Sequence, residues 1–258
     1  MRVMIASDYE AMSRTAAQLV AEALRAKPGL VLGLATGSTP VGMYAELVRM
    51  HRKEALDFSA VRTFNLDEYI GLSPEHPQSY HAFMRQHLFD HVNARPENIH
   101  IPDGTVTSGY DAAGAAYEAL IEHAGGIDFQ VLGIGTNGHV GFNEPTSGLA
   151  SRTRAVVLTD ETRKANKRFF GPDEAVPELA MTMGMGTILD AKKIVLLASG
   201  AQKAPAVALS IEGPVSAMVP ASALQLHRNV TVILDEAAAG ELTQRPYYDR
   251  VTQVMSNV

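Results

Sequence analysis

Short, almost wholly apolar runs alternate with helix-length segments along this chain, and that alternation most constrains its fold. Val3–Ile5, Leu30–Leu34, Val61–Leu66, Phe129–Leu132, Ile194–Ala198 and Val230–Leu234 read as strands. Strands lose the apolar–polar alternation when both faces of their sheet are covered. Between them the spacing predicts helices over Tyr9–Arg25, Pro40–His51, Ser79–Phe89, Tyr110–His123 and Gln202–Ser210. In the first of these, Ala16, Leu19, Val20, Ala23 and Leu24 recur at helical spacing and make an apolar stripe. The expected fold is therefore α/β: a doubly wound, mostly parallel, Rossmann-like sheet with helices on both faces. Arg152–Leu158 and Ala180–Met183 read as less regular strands flanking a helix around Glu161–Phe169. No repeat, linker or charge block interrupts the 258 residues, so 1–258 reads as one domain with that segment as an excursion.

Composition acts by exclusion. The chain has no cysteine, which removes a thiol nucleophile, a disulfide scaffold and any Cys-ligated metal. With 22 basic and 28 acidic residues its formal charge is −6, without the basic footprint of a nucleic-acid binder. Its longest apolar stretches fall far short of the ~18 residues a membrane span needs. Met1–Ile5 does not read as a signal peptide. The expectation is a cytoplasmic protein whose partner is a small molecule, with no nucleic acid and no membrane; homo-oligomerisation stays open.

In this architecture ligands bind beyond the carboxyl ends of the strands, so the loops after Leu34, Leu66, Leu132 and Ala198 matter most. The first, Ala35-Thr36-Gly37-Ser38-Thr39-Pro40, is small and hydroxyl-rich and runs straight into a helix. Backbone amides, the positive helix end and the Ser and Thr hydroxyls suit an anion, whereas the Lys-Ser/Thr ending of a nucleotide P-loop is missing. The same residues also fit an ordinary helix cap. The second loop carries Asp67 and Glu68, neighbours that point apart, so at most one carboxylate faces a substrate. The alternative is a solvated turn.

The third loop, Gly133-Ile134-Gly135-Thr136-Asn137-Gly138-His139-Val140-Gly141-Phe142-Asn143-Glu144-Pro145, formally contains a dinucleotide fingerprint. That fingerprint needs a helix to begin at once, and Gly141 and Pro145 forbid one, so no nicotinamide cofactor is expected. What remains is Asn137, His139 and Glu144 at close range, an imidazole with groups able to fix its tautomer. His87 and His91 have metal-compatible spacing but no further ligand, and read as a helix end. Met181, Met183 and Met185 read as packing. Arg168 and Lys203 are surface charges or, together with the Thr36–Thr39 loop, a phosphate clamp.

Taken in order, several segments resemble the glucosamine-6-phosphate deaminase (isomerising) family. They are Leu34–Pro40, Phe64-Asn65-Leu66-Asp67-Glu68-Tyr69, Gly133-Ile134-Gly135 with Asn137-Gly138-His139, Phe142-Asn143-Glu144-Pro145, Ser151-Arg152-Thr153-Arg154, and Ser222-Ala223-Leu224-Gln225-Leu226-His227. The resemblance implies conversion of glucosamine 6-phosphate and water to fructose 6-phosphate and ammonia, classed as a hydrolase, with no cofactor and no metal. It implies that Asp67 moves a proton between C2 and C1. It gives His139 the ring opening, with Glu144 and Asn137 orienting it. It puts the phosphate on Gly37, Ser38, Thr39, Arg168 and Lys203, and makes about 159–184 a mobile lid. Some members have Asp where this chain has Asn137, which holds an imidazole by hydrogen bonding but not by charge. The alternatives are a 6-phosphogluconolactonase-like hydrolase, which needs no base over C1–C2, and a non-catalytic sugar-phosphate sensor, which needs no acid–base set.

Overall fold

The computed structural model describes residues 1–255. The chain runs β1 (Arg2–Ala6), α1 (Tyr9–Ala26), β2 (Val31–Leu34), α2 (Val41–Glu54), β3 (Arg62–Asn65), β4 (Asp67–Tyr69), α3 (Tyr80–His87), β5 (Ile99–His100) and α4 (Tyr110–His123). It continues through β6 (Phe129–Gly133), β7 (Arg154–Val157), α5 (Asp160–Asn166), β8 (Leu179–Thr182), α6 (Met185–Leu189), β9 (Ile194–Ala198), α7 (Ala204–Ile211), β10 (Val230–Asp235) and α8 (Arg245–Met255).

Seven of these strands form one parallel sheet in the order β1-β10-β9-β6-β2-β3-β5. One face packs against α1 and α2 through Met12, Val20, Leu24, Tyr44 and Leu47. The other packs against α4, α6 and α7 through Tyr117, Ile121, Ile188 and Val207. Leu32, Val131, Leu196 and Ile233 are all buried, which is why these strands lack polar alternation. The doubly wound fold expected from the alternation is the fold observed.

A second, three-stranded sheet in the order β4-β8-β7 stands beyond the carboxyl end of β3. It holds the main departure from the sequence reading. Asp67-Glu68-Tyr69 reads as a turn but forms a strand, pairing antiparallel with β8 at Asp67↔Thr182 and Tyr69↔Ala180. Two adjacent carboxylates carry no β propensity, so tertiary pairing makes this strand. The two-residue β5, the five-residue α6 and the C-terminal α8 also lie outside the elements expected. Pro40 sits one place before its expected position, as the residue preceding α2 rather than its first. Met181, Met183 and Met185 are buried packing residues, as read. Among the described residues no helix is long and apolar enough to cross a membrane.

Candidate active site

The winding direction changes beside β6, whose neighbours are β2 and β9. Loops leaving adjacent carboxyl ends there diverge and open a crevice. It is a cleft of about 770 Å³. Gly37, Ser38 and Thr39 line it from the loop after β2, Asp67 from β4, and Asn137 and His139 from the loop after β6. Ser199, Gly200 and Lys203 line it from the loop after β9, and Thr162, Asn166, Arg168 and Phe169 from α5 and the turn after it.

Part of the cleft lining suits an anion. No side chain caps α2, so Ser38 and Thr39 are not spent as helix caps. Lys203 is half-buried, and its ammonium is held below its ordinary value by burial and by the nearby Arg168 charge. Arg168 lies over the Phe169 ring at 4.6 Å. Neither cation forms an ion pair among the described residues. Two neighbouring cations without a carboxylate, facing free hydroxyls and a helix start, match a phosphate dianion.

The two adjacent carboxylates divide as expected. Glu68 turns away from the cleft. Its Oε1 accepts from the backbone N–H groups of Tyr69 and Tyr80 at 2.8 and 2.9 Å, and its Oε2 accepts from that of His81 at 3.1 Å. It thus ties β4 to the start of α3. Asp67 is buried at 5% exposure and its carboxylate has no hydrogen-bond partner among the described residues. Burial, then the charge of Glu68, pushes it well above the ordinary carboxylate range. Gly141, at φ +58, passes over it; a Cβ there would stand 3.2 Å from Asp67 Oδ2 and 3.0 Å from Thr182 Oγ1.

His139 is held from behind. Its own backbone N–H donates to Asn137 Oδ1 at 3.1 Å, and Asn137 Nδ2 donates to Glu144 Oε2 at 2.9 Å. These two bonds orient the amide, so Asn137 Oδ1 is the atom 2.7 Å from His139 Nδ1. A neutral imidazole must therefore carry its proton on Nδ1, leaving the Nε2 lone pair available. Glu144 Oε2 lies 3.5 Å from Nδ1, a charge contact behind the amide. Burial raises the Glu144 carboxyl, but the hydrogen bonding and charge of His139, with Thr162 and Asn137, outweigh it and hold it at about 2. Glu144 is the one expected catalytic residue that does not line the cleft.

Gly135 makes room for the ring: a Cβ built there would fall 2.1 Å from His139 Cε1. Gly135→Ala is therefore expected to displace the imidazole and lower kcat about 100-fold, with KM nearly unchanged because the atoms nearest the added Cβ all belong to the His139 ring. Steady-state kinetics on the variant check this.

Several residues in or beside the cleft escaped the sequence reading. Tyr69 and Tyr80 pack with Phe142, ring centroids 5.0–6.1 Å apart, beside Asp67. Asn166 donates to the Tyr69 hydroxyl at 2.9 Å. Thr162 donates to Glu144 Oε1. Thr162 and Asn166 stand four apart on one helix, a signal visible in the sequence but indistinguishable there from a solvated face. His87, in contact with Phe83, and His91, bonded to the Gln86 carbonyl, end α3 and the turn after it.

A family model described as glucosamine-6-phosphate isomerases/6-phosphogluconolactonase matches residues 7–233. A glucosamine-6-phosphate deaminase of Hahella chejuensis is 56% identical over 248 residues, covering 96% of this chain and 94% of that one. Glucosamine-6-phosphate deaminase 2 of Bacillus subtilis is 54% identical, covering 94% and 98%. The solved structure of a monomeric glucosamine-6-phosphate deaminase superposes with a TM-score of 0.91 at 47% identity, over 93% of this chain and 100% of the other. A 6-phosphogluconolactonase from Trypanosoma cruzi shares the fold, with a TM-score of 0.72 at 22% identity over 94% and 97%. Fold, cleft and extent of identity agree, and the chain belongs to the glucosamine-6-phosphate deaminase family.

Proposed function

We propose that this chain converts glucosamine 6-phosphate and water to fructose 6-phosphate and ammonia. The observation that carries the proposal is a buried carboxylate and an oriented imidazole lining one cleft together with two cations, neither the carboxylate nor the cations being ion-paired among the described residues. The phosphate binds Ser38, Thr39, the loop at Gly37, Arg168 and Lys203, which leaves the sugar's C1–C2 end for Asp67 and His139. His139 Nε2 takes the C1-hydroxyl proton and delivers it to the ring oxygen as the C1–O5 bond breaks. Asn137 and Glu144 hold the imidazole for that transfer.

Asp67 then removes the C2 proton; its electron pair forms the C1–C2 double bond as the C1 carbonyl π pair moves to oxygen, which takes a proton from the neighbouring 2-ammonium group. Return of the proton to C1 leaves an imine at C2. Water adds there, the C–N bond breaks, and ammonia leaves a ketone. The carbon chemistry is an isomerisation with deamination. The hydrolase class expected above is withdrawn, because the names of the similar relatives are those of deaminases.

The lid is proposed to be α5 with the segment to about Glu178. Leu179–Thr182, included in the lid expected from the sequence, is strand β8 and stays bonded to β4 and β7. Every proposed group comes from one chain, so turnover needs no second copy. A cytoplasmic location suits a phosphorylated substrate, whose charge keeps it from crossing lipid.

The test is a paired assay on purified protein. Glucosamine 6-phosphate is expected to yield fructose 6-phosphate and ammonia in equal amounts, and 6-phosphogluconolactone to be hydrolysed no faster than in buffer. Lactone hydrolysis without ammonia release would replace this reading with the lactonase one.

A further inference from the structure

We propose that Thr162 is a positioning residue for the imidazole. Its hydroxyl, carried on the closing helix, completes the bonding of Glu144 and thereby couples closure to the ring-opening competence of His139. The inference rests on the activity proposed above.

Glu144 belongs to the loop after β6, and Thr162 to α5. The two are buried against each other at 7% and 5% exposure. One carboxylate oxygen of Glu144, Oε2, is taken by Asn137 at 2.9 Å. The other, Oε1, is served among the described residues only by α5 and its N-cap: by a close bond from Thr162 Oγ1 and a longer one, 3.3 Å, from Thr159 Oγ1. Thr159 caps the helix, its Oγ1 accepting from the Thr162 backbone N–H at 3.2 Å. The first turn of α5 is thus built onto the carboxylate that braces the imidazole.

The same short helix reaches the rest of the cleft. Asn166, one turn after Thr162, bonds the Tyr69 hydroxyl at 2.9 Å, two residues beyond Asp67. Arg168 follows on the part of the lining that suits an anion. A segment drawn down by the substrate phosphate therefore also delivers the Thr162 hydroxyl to Glu144. When the segment lifts, Oε1 loses both its donors, and a buried carboxylate left half-bonded shifts toward other partners. Asn137 then loses its brace, and with it the contact that fixes His139 Nδ1–H. Binding energy from the remote phosphate would in this way be expressed at the C1–O5 bond.

The experiment uses the full chain with Thr162→Val, which keeps the shape and removes the hydroxyl, and Thr162→Ser, which keeps the hydroxyl. Each is made alone and in a Glu144→Gln background. With glucosamine 6-phosphate, Thr162→Val is expected to lower kcat about 10–100-fold, the scale of a hydrogen bond to a charged group, with KM within about twofold. Thr162→Ser should restore kcat to within about threefold of the parent. In the Glu144→Gln background Thr162→Val should change kcat less than about twofold, because residues acting as one unit are not additive. An acyclic amino alditol 6-phosphate, which has no ring to open, should bind Thr162→Val and parent alike.

An unchanged kcat, a loss confined to KM, an equal further loss on top of Glu144→Gln, no rescue by serine, or weakened binding of the acyclic compound would each overturn the inference. A parent chain that releases no ammonia would overturn the activity reading, and this inference with it. An active parent matched by Thr162→Val would overturn the inference alone.

Discussion

Asp67→Asn is expected to lower kcat about 10³–10⁴-fold and at the same time to make the protein harder to melt at neutral pH. The first effect is that of deleting the proposed general base. The second follows from the same burial. Asp67 has no counter-charge among the described residues, and its carboxyl is raised by burial and by Glu68. An acid whose folded pKa lies above its unfolded value of ~3.9 stabilises the fold fully only below that value. The contribution is lost as pH rises through the folded pKa, so above it the ionised group works against folding. An uncharged amide removes that penalty, a gain of about 1–2 kcal/mol by analogy with other relieved active sites. For a chain of this size that is a rise of a few degrees in Tm.

The gain should vanish when melting is repeated near pH 3, where the parent's aspartate is neutral as well. A variant that is inactive and no more stable at pH 7 would show that Asp67 is not held under strain. The raised carboxyl also sets a sign for the parent: kcat/KM should fall on acidification at a pH well above the ordinary carboxylate range of ~4, because the base must be ionised to act.

Arg168→Ala is expected to raise KM for glucosamine 6-phosphate about 10–100-fold, the loss of a charge-assisted contact to phosphate. A fall in kcat should accompany it, since Lys203 can hold the anion but cannot draw α5 over the sugar. The control is glucosamine without its phosphate. Parent and variant should turn it over equally poorly, because Arg168 then has nothing to grip. A variant with unchanged KM for the phosphorylated sugar would remove Arg168 from the site.

The central sheet was legible because physics writes it plainly. Strands covered on both faces, such as Leu30–Leu34 and Ile194–Ala198, are apolar at nearly every position, and each amphipathic helix shows its period. The glycine-rich loop after β6 was legible as a site because Gly141 and Pro145 ruled out the helix that would have made it structural. Strand β4 was not legible. Asp67 and Glu68 have no strand preference, and only their pairing with Met181 and Thr182, more than a hundred residues on, makes them one.

Thr162 and Asn166 were hidden for a different reason. A threonine and an asparagine on a short polar helix look alike in sequence whether they face water or a catalytic carboxylate. Glu144 was readable as a neighbour of His139, but its place behind Asn137, rather than directly on the imidazole, depends on the path of the loop. Arg168 and Lys203 were readable as surface charges or as a clamp, and the sequence did not decide between the two, since 35 positions separate them and only the adjacency of their segments brings their charges together.

The small sheet has a mechanical consequence. The strand that bears Asp67, the proposed base, is bonded to the strand that follows the proposed lid, Asp67 lying opposite Thr182. A lid hinged there would swing from the same frame that holds the carboxylate, and its travel would leave the alignment between carboxylate and sugar intact. Opening would then release the product and admit the next molecule without the proton acceptor having to find its place again.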